Sequence, residues 1–230
     1  METKKNRTSN RKVDGNKIGT PSVLAPSYIN TKAEGVQLVS GFIPSLYCGG
    51  NNKYGKYINL LPESYSDKPI KKMNAKEVDP KLMTCLKTSL RMNGLCLDGP
   101  KPIHIYKNGE SKSKYTDVHT DPVMVIIVML HGMKIVWVAG KEPNIDEPFI
   151  DLAGNKWVST KNSSMTRQWS MSDRKGSLTN GDDLGPIFHA AGFRRCTLGP
   201  GDALLVPARF LHAVCTEANS IGLSLTVKKE

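Results

Sequence analysis

A chain of 230 residues, 39% hydrophobic and 23% charged, has the composition of a folded domain with one sizeable core. Its longest apolar run, Val123 to Leu130, is strand length and well short of the roughly 18 residues that cross a membrane as a helix, so no membrane partner is expected. The net charge of +11 favours anionic company such as nucleic acid, chromatin or acidic cosubstrates, and five cysteines without a CxxC pair (Cys48, Cys85, Cys96, Cys196, Cys215) exclude a thiolate zinc site and read as unpaired thiols.

Residues 1–20 carry Lys4, Lys5, Arg7, Arg11, Lys12 and Lys17 among polar residues with almost nothing to bury. They read as a disordered basic tail, either solubilising or a nucleic-acid-contacting arm. No apolar region follows these charges, so the tail is not a secretory signal and an intracellular protein is expected. Residues 21–100 read as strands and a helix that support a barrel formed by the rest of the chain. Val36, Leu38 and Phe42 nearly alternate, CGGNNKYG is a loop, and Tyr57 to Pro62 reads as a short strand. A helix comes next, with Asp79 as N-cap, Pro80 at the first position, Leu82, Met83, Leu86 and Leu90 as one apolar stripe, and Gly94 as the stop.

Residues 101–230 form the core. Strands are expected at Ile103–Tyr106, Tyr115–His119, Val123–Leu130, Lys134–Val138, Arg194–Leu198, Ala203–Val206, His212–Thr216 and Ile221–Val227. Eight short strands joined by Gly- and Pro-rich turns point to a mainly β fold, a sandwich or a jelly-roll barrel. The stretch 140–192 interrupts them and is expected to be an insertion near the barrel mouth, able to contact substrate.

The chemistry lies in two stretches. His119 and Asp121 are two apart, so on a strand their side chains leave the same face. His212 comes after the turn GPGD, an apolar strand and a proline stop far downstream. Two imidazoles and one carboxylate are the donor set of a non-haem iron(II) centre that leaves positions open for a cosubstrate and dioxygen. His104, His131 and His189 read as structural or surface residues.

The segment LGPGDALLVPARFLHAV resembles the carboxyl-terminal motif of the cupin and JmjC superfamily. YTDVHTD is similar to the H-x-D motif of JmjC oxygenases, nearest to the branch of KDM2 and PHF8 type lysine demethylases, and HAVCTEANSIG also looks like that branch. The resemblance implies a mainly β, double-stranded β-helix (a cupin- and JmjC-like jelly roll) with a few flanking helices, binding Fe(II), 2-oxoglutarate and O2, with His119, Asp121 and His212 as ligands. It further implies that Lys134 and Thr116 contact the distal carboxylate of 2-oxoglutarate, and that the enzyme hydroxylates or demethylates a protein, histone or other chromatin protein included, in the nucleus. Thr116 and His119 differ by an odd number, so both can face inward only if a bulge or twist intervenes. The last strand, SIGLSLTVKKE, departs from relatives that carry Asn there, with Val227 or Lys228 in the nearest register. That departure leaves open a non-catalytic JmjC- or cupin-like binding module acting as a scaffold.

Overall fold

A computed structural model describes residues 35–43, 70–73, 76, 78–109, 111–142, 148–162, 167–172 and 184–230. The basic tail and the strand expected at Tyr57 to Pro62 lie outside them. The first described elements are two short strands, β1 (Gln37–Val39) and β2 (Ile70–Met73), then helix α1 (Pro80–Met92). The helix starts where its caps require. The Asp79 carboxylate accepts the amides of Lys81 and Leu82, a bond set that typically stabilises by about 1 kcal/mol, and Gly94 takes the left-handed conformation (φ 66) beyond its end. Its buried stripe, Leu82, Met83, Leu86 and Leu90, is joined by Cys85 and Ser89.

The remaining strands are β3 (Leu95–Leu97), β4 (Ile103–Asn108), β5 (Lys114–Tyr115), β6 (Val118–Thr120), β7 (Met124–His131), β8 (Lys134–Lys141), β9 (Phe149–Ile150), β10 (Lys156–Asn162), β11 (Arg167–Met171), β12 (Arg194–Leu198), β13 (Ala203–Val206), β14 (Phe210–Thr216) and β15 (Ser220–Lys229), with helix α2 (Gly185–Ala190) before β12. They make two antiparallel sheets. One runs β1-β13-β7-β15-β4-β2 with β3 on β15; the other runs β12-β8-β14-β6-β11-β10-β9 with β5 on β14. The core strands divide between the two sheets as in a double-stranded β-helix, the jelly roll that the resemblance implies and one of the two folds that the turns and strand lengths allow.

Side-chain alternation gives each strand a place in the layers. On β7, Val125, Ile127 and Met129 point between the sheets, while Ile126, Val128 and Leu130 point to the other face, where α1 packs with Leu82, Leu86 and Leu90. On β8, Val136 and Val138 face the space between the sheets and Trp137 and Ala139 face outward. That outer face is covered by an aromatic core that the sequence did not announce: Phe149, Trp157, Trp169, Phe188 and Phe193 pack on Val118, Trp137, Leu211 and Ala213. Most of these aromatics come from the 140–192 insertion. The insertion therefore builds a third layer and lengthens the sheet by β9, β10 and β11, in addition to reaching the mouth through β11.

Cys85, buried on α1, is disulfide-bonded, which corrects the reading of all five cysteines as unpaired; Cys96, Cys196 and Cys215 are free.

Candidate metal and anion site

His119 and His212 are direct cross-strand partners on β6 and β14. Val118 and Leu211 point into the outer aromatic core, so alternation turns both histidines inward. Their rings lie 4.1 Å apart between centroids, and His212 Nε2 is 3.6 Å from Asp121 Oδ2. One donor atom from each of His119, Asp121 and His212 falls within 4.8 Å of the other two, a separation that one metal ion can bridge.

The tautomers suit that purpose. His119 Nδ1 lies 2.8 Å from the carbonyl of Asp117, and His212 Nδ1 lies 2.9 Å from the carbonyl of Phe210. A neutral ring donates from Nδ1 to such a carbonyl and leaves the Nε2 lone pair for a metal, the usual outer support of a ligating histidine. Burial, reinforced by the neighbouring His119 and opposed by Asp121, pushes the His212 imidazole down to about 4, so it stays in the neutral, ligating form at physiological pH. Among the described residues this is the cluster of His, Cys, Asp and Glu side chains able to hold a metal, and its two nitrogens and one oxygen fit iron(II).

The triad opens on a cavity of about 790 Å³ lined by His104, Tyr106, Thr116, His119, Asp121, Val125, Gln168 and Ser224, among others. Lys134 stands at the start of β8 and faces inward with Val136 and Val138. It is 2% exposed, and its ammonium lies 4.7 Å from the centroid of the Tyr106 ring. Desolvation alone drives the amine down to about 8. No described carboxylate offsets that burial, so the lysine is suited to receive an anion. Lys134 does not line the cavity directly. Tyr106 does, standing in front of it, and burial, with Asp121 adding to it against a Ser224 hydrogen bond, raises the phenol to about 12. Tyr106 is therefore held as an O–H donor beside the ammonium.

Thr116 reaches the cavity because the expected strand Tyr115–His119 is broken. Residues 116 and 117 lie between β5 and β6, which removes the conflict of odd spacing. The Thr116 hydroxyl accepts the Val214 amide at 2.9 Å, and the Thr116 amide donates to the Val214 carbonyl at 2.8 Å. On the last strand, Ser224 and Thr226 face the cavity. The register assigned to Val227 or Lys228 is corrected: Val227 is buried in the helix-side core, and Lys228 pairs with Asp98 at 3.3 Å on the surface.

Several cavity residues were not read from the sequence as site residues, Tyr106, His104 and Gln168 among them. Tyr106 and His104 alternate on β4 with the buried Ile103 and Ile105, an alternation visible in IHIYKN, but the sequence does not say which sheet face meets the metal. Gln168 reaches the cavity because it pairs with His119 across β11 and β6. His189 lies on α2 beside a separate hollow with Tyr115 and Trp137, and His131 ends β7; neither joins the triad.

No protein-family model and no curated protein matches the chain. Among solved structures it is similar to Escherichia coli YcfD, with 16% identity and a TM-score of 0.30 over 56% of this chain and 25% of that one. It is also similar to the E. coli ribosomal oxygenase YcfD in complex with cobalt and 2-oxoglutarate, with 17% identity and a TM-score of 0.29 over 56% and 23%. The chain thus spans about a quarter of those proteins, and so partial an overlap does not carry an activity across. The nuclear placement is nevertheless corrected: these similar structures come from a bacterium, which has no nucleus, and net charge alone does not specify a compartment.

Proposed function

We propose that the chain is an Fe(II)- and 2-oxoglutarate-dependent oxygenase acting on a side chain of a protein substrate. The observation that carries this reading is one inward face that joins two histidines, each with its Nδ1 held by a backbone carbonyl, and a carboxylate to a buried lysine that no described carboxylate offsets, beside a neutral tyrosine. Iron(II) would be held by His119, Asp121 and His212. Lys134, Tyr106 and Thr116 would receive the distal carboxylate of 2-oxoglutarate by charge-assisted and neutral hydrogen bonds.

When bound, the iron and its cosubstrate supply the oxidation of a C–H bond, with overall balance 2-oxoglutarate + O2 + R–H → succinate + CO2 + R–OH. The protein's own part is positional. Asp121 and the two imidazoles fix the metal at the cavity wall, Lys134 and Tyr106 fix the far end of the cosubstrate, and His104, Gln168 and Val125 shape the space beside the metal. Where the oxidised carbon is an N-methyl group, the hydroxylated product sheds formaldehyde and the outcome is demethylation; elsewhere it is a stable alcohol.

Purified protein supplied with Fe(II), ascorbate and 2-oxoglutarate is expected to form succinate, slowly without a protein substrate, and His119→Ala should abolish it. A chain that binds neither metal nor 2-oxoglutarate would overturn the reading in favour of a scaffold that keeps only the barrel.

A further inference from the structure

On the face of β6 opposite the metal triad lies a charge cluster centred on Glu142. Glu142, just beyond β8, has a side chain only 5% exposed. It accepts the Thr120 hydroxyl at 2.6 Å and pairs with Arg209 at 3.3 Å and Arg167 at 3.7 Å. Each partner belongs to a segment that carries or flanks the triad. Thr120 stands between His119 and Asp121, Arg209 is three residues before His212, and Arg167 is the cross-strand partner of Thr120.

Backbone bonds close the same circuit. The Glu142 amide donates to the Arg209 carbonyl at 2.7 Å, and the Arg209 amide donates to the Asp121 carbonyl at 2.7 Å. Arg209 sits in the left-handed region at φ 66, a conformation that costs a non-glycine residue free energy and persists where its surroundings enforce it. The circuit supplies that enforcement.

Electrostatics makes Glu142 the member that holds the rest. One carboxylate faces two guanidiniums, and Nε and Nη1 of the buried Arg167 have no hydrogen-bond partner. Without the carboxylate, the buried Arg167 would be left beside a second cation with no counter-charge, and the strained turn before His212 would lose its partner.

We propose that Glu142 is a positioning residue for the metal centre: through Thr120 and Arg209 it fixes the Asp121 turn and the approach to His212 in the geometry that one ion requires. The assignment rests on the reading of His119, Asp121 and His212 as ligands. Support from outside the ligand set of this kind typically changes metal affinity ten- to a hundredfold.

Cobalt(II) titration of the full chain, followed by calorimetry and by the visible d–d bands, tests it. Wild type should bind one cobalt ion. Glu142→Gln, which keeps the size and an acceptor for Thr120 but removes the charge, should weaken binding by about ten- to a hundredfold and alter the bands, with the far-ultraviolet circular dichroism of the fold retained. Thr120→Val should weaken it less, and the double variant should lose less than the product of the two, since they act through one circuit. Leu86→Ala, in the remote helix core, should lower stability and leave cobalt affinity and bands unchanged.

Wild-type affinity and bands in Glu142→Gln would overturn the positioning role while leaving the metal site standing. If Glu142→Gln does not fold, unchanged cobalt binding in Thr120→Val overturns it instead. A wild-type chain that binds no cobalt removes the metal site and this role together.

Discussion

Lys134 shows how a single side chain can be costly for the fold and useful to the site. Burial lowers its amine to about 8 from an ordinary value of 10.5. Between those two pH values the unfolded chain holds a proton that the folded chain has released, so the stability of the ligand-free protein should rise with pH across that window and be insensitive to this group below it. On the proposed function 2-oxoglutarate pairs with the ammonium, so its affinity should fall as pH passes above about 8. Lys134→Met should abolish 2-oxoglutarate binding in calorimetry, yet stabilise the ligand-free protein by on the order of 1–3 kcal/mol in urea unfolding at pH 7. A destabilised variant that still binds 2-oxoglutarate would make Lys134 a packing residue. The candidacy of His119, Asp121 and His212 was legible from their residue types and order, and that of Lys134 only from the resemblance to JmjC oxygenases. Tyr106 and Ser224 were not legible, since a tyrosine and a serine on alternating strands are ordinary until the register of β4 against β15 sets them side by side: His104 pairs with Ser224 and Tyr106 with Gly222. Gly222 matters at that crossing, for a Cβ there would lie 3.0 Å from the Val128 carbonyl and 3.4 Å from Lys134 Nζ.

Among the elements, α1 and the long strands follow from local pattern. Asp79 and Gly94 bound the helix, and β12 and β13 span the residues expected of them, Arg194–Leu198 and Ala203–Val206. The insertion behaves differently. Trp157 is 1% exposed, stacks near Phe149 at 5.9 Å between centroids, and donates its indole N–H to Asp151 at 2.8 Å. Asp151 in turn accepts the amides of Ala153 and Asn155, each at 2.9 Å, so a tight turn and an aromatic core share one buried carboxylate. Trp157→Ala should therefore cost about 3–5 kcal/mol in denaturant unfolding, the range for deleting a buried aromatic, and more if Asp151 is left without its indole partner. A loss below about 1 kcal/mol would show that the third layer adds little to stability. Its aromatics are spaced irregularly along a Ser- and Asn-rich stretch, so neither a helical nor a strand period reveals them; they become a core when β10 and β11 bring Trp157 and Trp169 to one face.

For the molecule as a unit, the two sheets and the outer layer make a frame whose stability should respond to what the central site holds. A ligand present at a hundred times its dissociation constant stabilises a fold by about 2.7 kcal/mol. Cobalt(II) with 2-oxoglutarate should accordingly raise the thermal midpoint of the wild-type chain, and His212→Ala should remove that increase. An equal increase in the variant would place the binding elsewhere on the chain. The net charge of +11 predicts anionic company in general terms, while one buried ammonium beside the cavity is a far more local feature.

Residue chemistry and local period were enough to indicate a mainly β fold with a capped helix and to pick out two histidines and an aspartate as a candidate metal set, while Lys134 entered only through the family resemblance. These are properties of short windows: strand alternation, turn residues, and donor types suited to one ion. Folding alone decided the rest. The pairing of His119 with His212, the placement of Tyr106 before Lys134, the entry of Gln168 into the cavity and the gathering of Thr120, Arg167 and Arg209 around Glu142 each join segments far apart in the chain. Sheet register fixes those contacts, and a shift of one residue would turn each of these side chains to the opposite face.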